Sequence, residues 1–151
     1  MKGLEIYKWI AGSKNDFTKP FKNPDNYALY DQAKTFWEQL NQWSVIIIAI
    51  FIIVGIALAW GYYKPYNEYP RRHYLPSHWL VFCVATIILS FVITLGFECL
   101  IATPKLKGAF ILELRIALGN AIYAFVVYFI TSIVWCNWLS TNAYPIFKIK
   151  K

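Results

Sequence analysis

Charged residues are scarce in this sequence. Of its 151 residues only 15% are Asp, Glu, Lys or Arg, whereas 58% are hydrophobic. A soluble domain carries about 25% charged residues, because water must solvate most of its surface. The composition therefore excludes an ordinary soluble domain and indicates a surface that faces lipid. Once the long apolar runs are assigned to a bilayer, no stretch remains for a separate soluble domain of about 50 residues or more.

The sequence also lacks the motifs of the common enzyme classes. It contains no glycine-rich phosphate loop, no zinc-protease motif and no serine-centred elbow. Its three cysteines are an odd number and fall in apolar runs, which favours small apolar side chains over disulfides or zinc ligands. His73 and His78 have only Glu68 nearby as a further metal ligand. We therefore predict no enzymatic activity, no cofactor and no metal site.

What the sequence does contain is three apolar runs of membrane-spanning length. The first run has no charged residue, and Trp43 and Trp60 flank it as aromatic residues do at membrane interfaces. We predict an all-α integral membrane protein with three transmembrane helices in residues 44–139, followed by a short basic tail, 140–151. The predicted spans are about 44–62, 79–102 and 116–139, with 108–115 as an interfacial turn of the third helix.

The N-terminal arm, residues 1–43, contains a predicted amphipathic interfacial helix. After Pro24 and Asp25, which suit a helix start, apolar residues recur at helical spacing. They are Leu29, Ala33, Phe36, Trp37 and Leu40. This face either lies among lipid headgroups as an anchor or docks on another protein.

An odd number of spans places the two termini on opposite sides of the membrane. Counting the whole arm, the N-terminal side carries nine Lys and Arg residues against six on the other side. Positive charge is retained on the cytoplasmic side. We therefore predict a protein of the cytoplasmic (inner) membrane with its N-terminus in the cytoplasm.

Two spans carry polar rows at helical spacing. In the second span Thr86, Ser90, Thr94 and Glu98 follow at intervals of four and so share one face. In the third span Asn120 lies in a patch of small residues, Ala117, Ala121 and Ala124. Small and polar faces let membrane helices approach closely and hydrogen-bond to one another. We therefore expect these faces to contact protein.

Glu98 and Arg115 lie at the same predicted membrane boundary. An ionisable group at that depth marks a functional candidate. The hypothesis that we favour is an ion pair that closes the hairpin between the second and third spans. Arg115, Lys105 and Lys107 are within reach of Glu98, and Arg115 is the first choice. Contact with a partner protein and ion or proton conduction are the alternatives.

The loop 62–78 combines five tyrosines with Arg71 and Arg72, and Trp79 follows it. Three prolines stiffen it. Arginine and tyrosine are enriched in protein interfaces. Partner binding and headgroup anchoring both explain the loop, whereas nucleic acid binding is a poor third because lipid phosphates are nearby.

The sequence thus predicts a non-enzymatic structural subunit of a larger membrane assembly, such as a secretion, transport or other envelope machine, which anchors other membrane subunits. The alternative is a homo-oligomeric pore or channel lined by the second helix. The expected partners are the lipid bilayer and other membrane proteins, in a hetero-oligomer rather than a homo-oligomer, with no nucleic acid. The candidate partner or helix-packing residues are Trp37, Arg71, Arg72, Thr86, Ser90, Thr94, Glu98, Arg115 and Asn120.

Overall fold

The computed structural model describes residues 3–22, 27–68, 75–103, 106, 108–139, 141, 143 and 145–149. The regular structure of these residues is helical, as predicted. The α-helices are α1 (Lys8–Ala11), α2 (Lys14–Thr18), α3 (Tyr27–Gln42), α4 (Ser44–Gly61), α5 (Pro76–Ile101) and α6 (Phe110–Trp138). Short 3₁₀ turns cover Gly3–Tyr7 and Lys19–Phe21, and a π-helical turn, Tyr62–Tyr66, extends α4.

Three helices are long and apolar enough to cross a membrane, which confirms the predicted fold class. They are Ser44–Tyr66, Pro76–Ile101 and Phe110–Trp138. The second begins three residues earlier than predicted, with Pro76 in its first position, where the missing amide proton of proline costs no helical hydrogen bond. The third begins at Phe110, so Glu113 and Arg115 belong to its first two turns.

The N-terminal arm folds on its own apolar residues. Helix α2 begins with a capping box in which Ser13 and Asp16 hydrogen-bond to each other's backbone amides. The ring of Phe17 in α2 lies 5.9 Å from both Phe36 and Trp37 of α3. The apolar face of α3 is buried from Ala33 onward, in part by Phe17 of the arm. The predicted helix start at Pro24 and Asp25 lies outside the described residues.

The chain forms two compact units, and each contains part of every span. The first comprises residues 1–50 and 91–120, and the second comprises 51–90 and 121–151. In the second unit α4 and α6 approach closely at Gly55, because a Cβ atom there would lie 2.8 Å from Val127 Cγ1. The indole nitrogen of Trp79 in this unit donates a hydrogen bond to Ser132 Oγ (3.0 Å).

The tail packs within the second unit. Thr141 Oγ1 donates a hydrogen bond to the Tyr63 carbonyl (2.8 Å), and Asn137 Nδ2 donates to the Phe147 carbonyl (3.0 Å). The ring of Tyr63 stacks on that of Trp135 with 5.9 Å between centroids. Tyr63 of the loop 62–78 therefore contacts the tail through its backbone carbonyl.

Candidate functional site

The candidate site is a buried polar cluster in the first unit, which we call the Asn120 cluster. It comprises Asn120, Thr94, Tyr7 and the backbone carbonyl of Ile47. Asn120 Nδ2 donates hydrogen bonds to Thr94 Oγ1 (2.7 Å) and to the Ile47 carbonyl (2.8 Å). The Tyr7 hydroxyl donates a hydrogen bond to Asn120 Oδ1. One amide side chain therefore joins α4, α5, α6 and the start of the arm.

Each member of the cluster reaches it for a local reason. Thr94 belongs to the polar row of α5, and Asn120 belongs to the small-residue face of α6, so both face protein rather than lipid. Amide and hydroxyl side chains in membrane helices are stabilised when they hydrogen-bond across helices. Asn120 and Thr94 are fully buried, as a polar group in such a contact should be.

Tyr7 occupies the space that the small residues of α6 leave open. Its side chain is fully buried, and a Cβ atom at Gly119 would lie only 2.9 Å from its Cδ1 atom. Ala117 and Ala121 of α6 are buried as well. The sequence signals a close contact at this patch of α6 but does not identify Tyr7 as its occupant. The tyrosine stands in an ordinary-looking segment, LEIYKWIA, with no pattern that sets it apart.

The polar row of α5 is buried along its whole length. Thr86, Ser90, Thr94 and Glu98 each have no exposed surface, in agreement with the expectation that this face contacts protein. The Thr86 hydroxyl donates to the Phe82 carbonyl of the same helix (2.8 Å). The partners of this row therefore belong to the chain itself wherever the structure describes them.

Glu98 has no hydrogen-bond partner among the described residues, although both of its carboxyl oxygens are buried. The predicted ion pair with Arg115 is therefore wrong, and the other two candidate cations, Lys105 and Lys107, lie outside the described residues. Arg115 lies on the outward face of α6, with exposed Ile111 and Leu118 one turn away on either side, whereas Ile116 and Asn120 face inward. Both residues lie near the same membrane boundary in the sequence. That proximity did not reveal that Glu98 is buried whereas Arg115 is on the outward face of α6.

A second acid, Glu113, is also buried in this unit. Cys99 donates a weak S–H hydrogen bond to Glu113 Oε2 (3.8 Å). The two side chains line a cavity of about 200 Å³ together with Phe36, Leu106, Ala109 and Phe110. Within the described residues no group of three or more His, Cys, Asp or Glu could hold a metal ion.

Polar contacts attach the arm to the helix ends of the same unit. Gln39 Oε1 accepts a hydrogen bond from the Thr103 amide (2.9 Å), just beyond α5. Within the arm, Lys14 forms an ion pair with Glu38 (2.8 Å). The hydrogen bond from Lys14 lowers the pKa of Glu38, and the hydrogen bonds from Ser13 lower the pKa of Asp16.

Of the three remaining candidate residues, the structure describes Trp37. Trp37 is buried against Phe17, so its ring belongs to the interior of the arm. Arg71 and Arg72 lie outside the described residues. Tyr66 and His78, which precede and follow them in the sequence, share a hydrogen bond of 3.1 Å between the Tyr66 hydroxyl and His78 Nδ1.

No family model matches the chain, and neither a curated protein nor a solved structure matches it. The case for its function therefore depends on its own residues.

Proposed function

We propose that the protein is a non-enzymatic structural subunit of a larger membrane assembly, in which it anchors and orients neighbouring membrane proteins. The observation that carries the proposal is the insertion of Tyr7 into the Asn120 cluster. Through this contact the arm is held at a fixed position relative to the parts of α4, α5 and α6 that belong to the first unit. A rigid arm is what a scaffold needs, because a preordered surface loses less conformational entropy when a partner binds.

The exposed first turn of α3 is the surface that such an arm presents. Tyr27 is 70% exposed and Leu29 is 41% exposed. One turn on, the Lys34 ammonium lies 4.1 Å from the centre of the Tyr30 ring. Aromatic and aliphatic residues beside a cation are typical of protein contact sites. Since Phe17 covers α3 further along, at Phe36 and Trp37, we assign partner contact to this exposed first turn.

The spans offer a second contact surface. Gly96 lies on the exposed face of α5, with no heavy atom within 4 Å of where a Cβ would stand. Leu100, one turn further, is 82% exposed. A glycine on a lipid-facing surface lets another helix approach closely. In an assembly, we expect a helix of a neighbouring subunit at this position.

Site-specific crosslinking tests the proposal. A photoreactive residue at position 27 should form a crosslink to an unlike chain in native membranes. The double variant Tyr27→Ala and Leu29→Ala should release that chain during mild purification, whereas Ile149→Ala, an equally exposed apolar site in the tail, should not. If position 27 crosslinks only to lipid and the double variant purifies with the same chains as the wild type, the first turn of α3 is not a subunit contact.

The alternative function is a pore of identical chains, and Glu98 is the observation in its favour. A buried carboxyl without a hydrogen-bond partner is the kind of group that ion and proton pathways use. Against it, Thr86 and Thr94 use their hydroxyls inside the chain and have no surface to line water. Flux measurements in proteoliposomes separate the two functions: a pore predicts flux that Glu98→Gln alters, and the scaffold predicts none.

A further inference from the structure

A cleft of about 600 Å³ in the first unit is not used by the Asn120 cluster. It lies between the arm and the first two turns of α6, and we call it the Arg115 cleft. Lys8, Trp9 and Asp16 line it from the arm, and Ile111 and Arg115 line it from α6. Its volume is that of a site for a small molecule or for the polar end of a lipid.

The cleft combines apolar walls with two cations. Trp9 and Ile111 are 58% and 55% exposed, and two phenylalanine rings contribute further apolar surface. Neither Lys8 nor Arg115 takes part in a close ion pair within the part of the chain that the structure describes. The site therefore offers positive charge beside a surface suited to hydrocarbon.

Asp16 is the third charged residue of the cleft, and it determines the net charge that a ligand meets. Asp16 Oδ2 accepts hydrogen bonds from the Ser13 amide (2.8 Å) and hydroxyl (2.7 Å), so this carboxylate is already committed to capping α2. Together with Lys8 and Arg115 it leaves a net charge of about +1, which complements one negative charge. A phosphodiester carries one negative charge, and a guanidinium group binds phosphate oxygens through two parallel hydrogen bonds.

The position of the cleft along α6 identifies the source of the phosphodiester. Arg115 is the sixth residue of a membrane-spanning helix, and Ile111 and Leu118 lie on the same outward face. The cleft thus opens at one end of a span, where lipid headgroups are concentrated, and its apolar surface continues toward the hydrocarbon. Basic pockets beside transmembrane helices bind acidic headgroups in this way.

We propose that the Arg115 cleft binds an anionic phospholipid, with the phosphodiester between Lys8 and Arg115 and an acyl chain along Trp9, Ile111 and Leu118. The lipid would fill the space between the arm and α6. It would thereby connect the position of the arm to the acidic lipid content of the membrane.

Fluorescence quenching by brominated lipids tests the proposal, because Trp9 lines the cleft. In mixed micelles of the full-length protein, brominated phosphatidylglycerol should quench tryptophan fluorescence at lower concentration than brominated phosphatidylcholine. This difference should disappear in Trp9→Phe. Lys8→Gln and Arg115→Gln should each weaken the phosphatidylglycerol effect about fivefold. Both side chains are exposed, so neither change should disturb folding.

Two controls fix the interpretation. Lys148→Gln removes the same charge from an exposed position in the tail and should leave quenching unchanged. Inorganic phosphate at millimolar concentration should not displace the brominated lipid, because it lacks the acyl chain. Equal quenching by the two lipids, or no loss in Arg115→Gln, would overturn the proposal. Displacement by phosphate would overturn the assignment to a lipid and leave a simple anion site.

Discussion

Replacing Asn120 by Ala is the most informative perturbation of the Asn120 cluster. The change removes two donated hydrogen bonds and one accepted hydrogen bond that connect the arm with three spans. Hydrogen bonds between membrane helices contribute about 0.6 kcal/mol each on average. We therefore expect Asn120→Ala to lower the free energy of unfolding by about 2 kcal/mol, the sum for three such bonds.

The assay is unfolding in mixed micelles by increasing fractions of a denaturing detergent, followed by circular dichroism. Thr86→Val is the matched control, because the Thr86 hydroxyl is equally buried but, among the described residues, bonds only to a carbonyl of its own helix. It should change the free energy of unfolding by less than about 0.5 kcal/mol.

A double-mutant cycle isolates the contact between the arm and α6. Tyr7→Phe removes the hydroxyl but keeps the ring that fills the space beside Gly119. Combined with Asn120→Ala, it should show a coupling energy of about 0.6–1.7 kcal/mol. Strictly additive effects, together with a loss below about 0.5 kcal/mol in Asn120→Ala, would refute the argument that this cluster holds the arm.

Three further predictions concern the same unit. Gly119→Ala should loosen the arm and increase its cleavage by protease, because the added methyl group would lie 2.9 Å from the Tyr7 ring. Gly96→Ala places its methyl group in open space and should leave cleavage of the arm unchanged. Equal cleavage in both variants would contradict this prediction. Glu98→Gln should not lower the free energy of unfolding, since the carboxyl has no partner to lose among the described residues; a loss of about 2 kcal/mol that Arg115→Gln reproduces would restore the ion pair. The arm should become less protected from hydrogen exchange as the pH falls through the lowered pKa of Asp16, because that carboxylate stabilises the folded arm only above this pKa. Asp16→Asn should remove this dependence of the protection on pH.

The spans and the polar row of α5 could be predicted because they depend on local patterns. Apolar runs of sufficient length must cross the bilayer, and a spacing of four places Thr86 and Glu98 on one face. The burial of both residues agrees with this expectation. The small-residue face of α6 was likewise visible in the sequence, since Ala117 and Asn120 recur at helical spacing.

The occupants of these faces could not be predicted, because they come from distant parts of the chain. Tyr7 is 113 residues from Asn120, and Phe17 reaches Trp37 through the fold of the arm. The error over Arg115 has a related cause. Residues 112 and 116 face inward and residues 111 and 115 outward, and hydropathy alone did not fix the rotation of α6 about its axis.

The mass and chain composition of the particle extracted from native membranes by a mild detergent test the central claim most directly. We predict a particle that contains this protein in fixed proportion with at least one unlike membrane protein, and that loses the unlike chain when Tyr27 and Leu29 are both replaced by Ala. A monomer, or a ring made only of identical chains, would contradict the account.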